Sequence, residues 1–152
     1  MYKAGMKTSD LAPHTEQTVL QFLDTASALE RRLDRILSST KGVSFSEYRL
    51  LMALSEANPT GCPRIDLANR VGLTASAVTR ALKPLEKIGC VTTERSERDA
   101  RQSLAVITPA GRDLLADAQA ILRDALRDLP VNSLSSPKLT EFQHRLTEFG
   151  NR

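Results

Sequence analysis

The chain has 152 residues, 41% of them hydrophobic and 26% charged, which suits one folded domain with a real core and excludes a disordered chain. No stretch reaches the ~18 consecutive apolar residues of a membrane span, and the N-terminal segment lacks the apolar run of a secretory leader, so the chain is expected in the cytoplasm. The net charge of +3 is concentrated: residues 61–108 carry eight basic and five acidic side chains, while the two signs balance on either side.

Residues 1–12 mix Lys, Gly, Thr, Ser and Asp without periodicity and read as a flexible N-terminal tail. From about Pro13 to Ser39, Val19, Phe22, Leu23, Ala26, Leu29, Leu33, Ile36 and Leu37 recur at three- and four-residue steps, the pattern of a long amphipathic helix. Thr40-Lys41-Gly42 ends it. Ser44 and Glu47 have the spacing of a capping box, with Val43 and Tyr48 placed as a hydrophobic staple, so a second helix should run to about Ala57. Pro63 opens a short third helix that Gly72 closes. Thr74 can N-cap a fourth, whose apolar face is Val78, Ala81, Leu82, Leu85 and Ile88. Pro84 inside it removes one backbone bond, and a bend is expected there.

At Cys90 the period changes. Residues 91–95 and 102–107 are rich in β-branched side chains and flank a polar loop, which predicts a two-stranded hairpin. Thr108-Pro109 starts another helix, whose stripe of Leu114, Leu115, Ala118, Ile121, Leu122, Ala125, Leu126 and Leu129 runs to Pro130. A last helix over about Pro137 to Phe149 carries Leu139, Phe142, Leu146 and Phe149.

Two short helices joined by a glycine-containing turn are the mark of a helix-turn-helix. Beyond its cap, Thr74, its second helix has a polar face of Ala75, Ser76, Thr79, Arg80 and Lys83, and these six are the candidate contacts. Small methyl and hydroxyl groups followed by Arg and Lys suit the major groove of double-stranded DNA, where Arg reads guanine and methyl groups meet thymine. In the hairpin tip, Arg98 and Arg101 bracket Asp99, and arginine is drawn to the minor groove. The plainer alternative for both sets is a solvated polar surface. The long apolar stripes exceed what one small lobe covers, which points to a homodimer.

Neither metal nor cofactor is expected. Cys62 and Cys90 lie 28 residues apart with no CxxC, and His14 and His144 are the sole histidines. No nucleophile motif, phosphate loop or acid–base pair marks an enzyme. Cys62, in a turn near a helix start, is the better candidate for a redox-active thiol, and Cys90 reads as a small core hydrophobe.

From Val43 to Ala116 the chain resembles the MarR family of winged-helix regulators, through SFSEYRLLMAL, RIDLANRVGLTASAVTRALKPLEKIGCV, Asp99-Ala100-Arg101 and LAVITPAGRDLL. The fold class implied is mainly α with a small β-hairpin wing. A single domain over 13–152 comprises a winged helix-turn-helix lobe at 43–108 and dimerisation helices at 13–42 and 109–152. The resemblance also implies a homodimer on a pseudo-palindromic operator, repression as the usual outcome, and Arg101 as the minor-groove arginine. It implies a crevice for a small aromatic or organic-anion effector, for which Phe22, Tyr48, Arg49 and Met52 are the candidate lining residues. Two departures stand out: Ala100-Arg101 replaces the paired arginines of many family wings, and Lys83 stands where an acidic residue is common. The competing functions are a winged helix that binds protein without DNA, and a thiol-based redox-sensing regulator.

Overall fold

The computed structural model describes residues 14–57, 59–96 and 102–150. Six helices and three strands follow in order: α1 (Thr15–Lys41), α2 (Phe45–Ser55), β1 (Cys62–Pro63), α3 (Arg64–Val71), α4 (Ala75–Lys87), β2 (Val91–Arg95), β3 (Ser103–Ile107), α5 (Pro109–Leu126) and α6 (Ser136–Gly150). A short 3-10 turn, Pro130–Ser133, separates the last two helices.

Local signals set most of these boundaries. Gly42 ends α1 in the left-handed conformation at φ 68°, which costs a glycine little. The capping box forms in full: the Glu47 amide donates to Ser44 Oγ at 3.1 Å, and the Ser44 amide donates to Glu47 Oε2 at 2.7 Å. Asp34, on α1, adds a link between helices by accepting the Phe45 amide at 2.8 Å. Gly72 (φ 67°) closes α3, and Thr74 then caps α4 by accepting the Ala77 amide. Helix α4 runs unbroken through Pro84. Ile88, expected on its buried face, is instead 58% exposed, because it is the cap residue and has left helical phase.

The sheet has three strands in the order β1-β3-β2, all antiparallel, where the sequence suggests two. Cys62 pairs with Ala105 and Pro63 with Leu104. Pro63 is thus an edge-strand residue and the cap of α3, not its first helical residue. A two-residue strand carries no alternation, so sequence periodicity cannot reveal it. Gly61 permits the approach: at φ 104°, a Cβ there would lie 2.8 Å from Val106 Cγ2 and 2.9 Å from Leu104 Cβ.

The core gathers Leu37, Leu50, Leu51, Leu67, Val78, Leu82, Leu85 and Val91, all fully buried, with α2 packed against α1, α3, α4, α5 and β3. Helix α5 lies on α1, and Lys41 Nζ meets Asp117 Oδ2 at 2.6 Å between them. Thr108 Oγ1 accepts the Gly111 amide and donates to the Gly89 carbonyl at 2.6 Å, so one hydroxyl joins the start of α5 to the end of the α4 turn. Helix α5 stops three residues earlier than its apolar stripe suggests; Asn132 Nδ2 donates to the Leu126 and Arg127 carbonyls.

Both cysteines belong to this core: Cys62 is 4% and Cys90 5% exposed. Burial raises both thiol pKa values; at Cys62, Arg70 opposes the rise and Asp66 adds to it. The candidate reactive thiol, Cys62, is therefore a buried residue of the short edge strand β1 in surroundings that favour its neutral form, not an exposed turn residue.

Two outcomes follow from this packing. At Gly111 an added Cβ would run into the Cys90 carbonyl oxygen and come within 2.8 Å of Ile107 Cγ1. Gly111→Ala should therefore lower stability by about 2 kcal/mol or more in thermal unfolding, and an unchanged midpoint would contradict the close approach. A raised native thiol pKa means the folded chain keeps a proton that the unfolded chain releases above about pH 8.5. Stability is therefore unaffected by these thiols below that pH and falls as pH rises from it through the higher folded-state pKa. Near neutral pH, an aromatic disulfide reagent should leave both thiols untouched until the chain is unfolded, and prompt native reaction at Cys62 would restore the redox reading.

Candidate nucleic-acid interface

Helix α4 separates its residues by side. Val78, Leu82 and Leu85 are fully buried against the core. Thr74, Ala75, Ser76, Arg80 and Lys83 are exposed, and Thr79 is half-buried. The hydroxyls near its N-terminus are held in place: Thr74 Oγ1 serves the cap, and Thr79 Oγ1 donates to the Ala75 carbonyl at 3.0 Å. Arg80 and Lys83 form no ion pair among the described residues, so their charges face solvent uncompensated by a neighbouring carboxylate. Thr74 is the cap that precedes α4, and the five residues that helical spacing places on one face lie within that helix.

The hairpin beside it is in register, with Val91 opposite Ile107 and Arg95 opposite Ser103. The Ser96 amide donates to the Gln102 carbonyl at 3.0 Å, extending the ladder to the base of the tip. Arg98, Asp99 and Arg101 lie outside the described residues. Strand β2 packs on α4, with Thr93 meeting Glu86 in the last turn of that helix.

One feature of this region was not visible in the sequence. Arg64, counted there with the basic footprint, meets Glu86 Oε1 at 3.2 Å, and Thr93 Oγ1 donates to the same oxygen at 2.5 Å. Their separations in sequence, 22 and 7 residues, follow no local pattern.

The four candidate effector residues do not all come together. Tyr48, Arg49 and Met52 are half-buried on α2, and Tyr48 Oη donates to Met52 Sδ at 3.7 Å. Burial, with Glu56 adding a smaller effect, raises the Tyr48 pKa and keeps the phenol neutral. Its ring stacks on Phe45 with centroids 5.9 Å apart. Phe22 is 42% exposed and stacks instead on Phe149 of α6. An open cleft of about 410 Å³ between α1 and α2 is lined by Glu30, Arg31, Asp34, Arg35, Phe45 and Ser46, a different set. Among the described residues no group of His, Cys, Asp and Glu is placed to hold a metal ion, and no helix is long and apolar enough to cross a membrane.

Known proteins share this arrangement. The sequence pattern of the MarR family matches residues 41–102. The HTH-type transcriptional repressor Rv2887 of Mycobacterium tuberculosis is 31% identical over 114 residues, covering 74% of this chain and 79% of the relative. Among solved structures, Sco3205, a MarR family transcriptional regulator of Streptomyces coelicolor in complex with DNA, superposes with a TM-score of 0.82 at 26% identity, covering 93% of this chain and 91% of Sco3205. CouR of Rhodococcus jostii, bound to p-coumaroyl-CoA, shares the fold with a TM-score of 0.75 at 21% identity, covering 97% of this chain and 96% of CouR. With this helix order, this sheet and these relatives, the chain belongs to the MarR family of transcriptional regulators.

Proposed function

We propose that the chain is a homodimeric repressor that binds a pseudo-palindromic operator in double-stranded DNA and is released by a small aromatic or organic-anion ligand. The observation that carries this reading is the exposed face of α4, where Arg80 and Lys83, without an ion pair among the described residues, lie beyond a capped, small-residue N-terminus. In the proposed complex, Thr74, Ala75, Ser76, Thr79, Arg80 and Lys83 enter the major groove. Arg98, Asp99 and Arg101 serve the adjacent minor groove from the wing. The DNA complex of Sco3205 supports this placement by likeness.

Dimerisation is proposed through the long helices at 13–42 and 109–152, with the lobe at 43–108 reserved for DNA. Val19, Leu20, Phe22 and Leu23 on α1 and Phe142, Leu146 and Phe149 on α6 are all more than a third exposed. Burying one such side chain contributes roughly 1.5–3 kcal/mol, so a shared face made of them favours association. Two lobes would then meet the duplex about one turn, ~34 Å, apart. For the ligand, support comes from the half-buried Tyr48 and Met52 with Arg49 beside them, and from the acyl-CoA bound to a protein of the same fold.

The test is selection of duplexes from a random-sequence pool, followed by titration at two salt concentrations. A dimer on a two-fold-related site, with affinity falling steeply as salt rises, is the expected result. Arg80→Ala should cost about 1–3 kcal/mol and relax base preference at one position of each half-site. Arg101→Ala should weaken binding and make it less sensitive to minor-groove width. A protein partner bound without steep salt dependence, and no selected duplex, would assign the fold to protein interaction instead.

A further inference from the structure

Strand β2 turns Val91, Thr93 and Arg95 to one side by the two-residue alternation of a strand. Val91 faces the core and is 2% exposed. At Thr93 the same side has passed the edge of the apolar core and meets a polar ring. Thr93 Oγ1 donates to Glu86 Oε1 at 2.5 Å and accepts from an Arg64 guanidinium nitrogen at 3.2 Å; that nitrogen also reaches Glu86 Oε1 at 3.2 Å. The three residues come from the first position of α3, the last turn of α4 and the middle of β2.

Two observations argue that this ring serves orientation more than stability. The Arg64 and Glu86 side chains are 28% and 30% exposed, so solvent screens the pair, and such pairs contribute little to folding. Arg64 Nε is buried and has no acceptor among the described residues, which is a cost and not a gain. What the ring does fix is an angle. Ser96 lies three residues beyond Thr93, about 10 Å along the strand. A tilt of roughly 10° at Thr93 would move the base of the wing tip by about 2 Å, more than a hydrogen bond tolerates.

The geometry points to Arg64, Glu86 and Thr93 as a positioning clamp that sets the wing at a fixed angle to α4, so that both DNA-contacting elements are presented together. This rests on the DNA-binding reading above. With Lys83 on α4 unable to pair with a basic wing residue, the clamp supplies a link between wing and helix from beneath, through a hydroxyl on the strand itself. None of the three needs to touch DNA.

The experiment uses the full chain, the duplex it selects from a random pool, and the variants Thr93→Val, Arg64→Met and their combination. Thr93→Val keeps the side-chain shape and adds no charge. Each single variant should bind about 3- to 10-fold more weakly, with a melting temperature within about 2 °C of the unaltered chain. The double variant should bind no more weakly than the weaker single one, since both break the same ring. In the absence of DNA, the Ser96 amide should exchange with solvent faster in Thr93→Val, while the amides of α5 do not change. Additive losses would assign Arg64 a phosphate of its own and overturn the clamp. So would unchanged exchange at Ser96, or weakening that merely follows a fall in melting temperature. If the unaltered chain selects no duplex, the DNA-binding reading fails, and hydrogen exchange alone decides whether the clamp holds the hairpin.

Discussion

Everything in this fold is arranged around the need to bury α2. Its eleven residues include Leu50, Leu51, Ala53 and Leu54, all buried. Adjacent leucines project about 100° apart on a helix, so no single flat partner can cover both. The solution is enclosure: α1 and α5 close one side, α3 and α4 another, and β3 reaches the rest. Because the same short helix touches both the long helices and the helix-turn-helix, the two cannot shift relative to one another without disturbing a close-packed centre.

Helix α1 shows what that centre leaves over. Its C-terminal half delivers Leu33 and Leu37 to the core, while Val19, Leu20, Phe22 and Leu23 in the first half remain in solvent. The stacked pair Phe22–Phe149 is the ring contact that ties this half to α6. An apolar stripe that continues past the edge of its own core is a surface shaped for further burial. By contrast, α4 carries Arg80 and Lys83 on its exposed side, so the two surfaces offer opposite chemistry to their surroundings.

The parts of the fold legible in the sequence are those written within a few residues. Ser44 with Glu47, Thr74, Thr108 with Pro109, and Gly72 each satisfy or close a helix end locally, and each stands where its spacing placed it. The α4 face was legible for the same reason, since a 3.6-residue period alone assigns Arg80 and Lys83 to the side opposite Leu82. What escaped depends on long-range packing. Strand β1 is too short to carry a period, and its pairing with β3 also turned Cys62 from an apparent turn residue into a core side chain. Ile88 kept the apolar identity of the stripe but fell one residue past the helix. The ring of Arg64, Glu86 and Thr93 joins three elements, and the cleft between α1 and α2 gathered residues other than those the family resemblance nominated.

The brevity of β1 has a consequence for how the protein behaves in a crowded solution. A sheet with open edges is a template on which other chains can add strands, the first step of aggregation. Here one edge is two residues long and ends in Pro63, which has no amide hydrogen to offer a newcomer. The other edge, β2, exposes Thr92, Glu94 and Arg95, polar or charged side chains that a stacked strand would have to desolvate. A hairpin that must project into solvent is thereby kept from recruiting copies of itself.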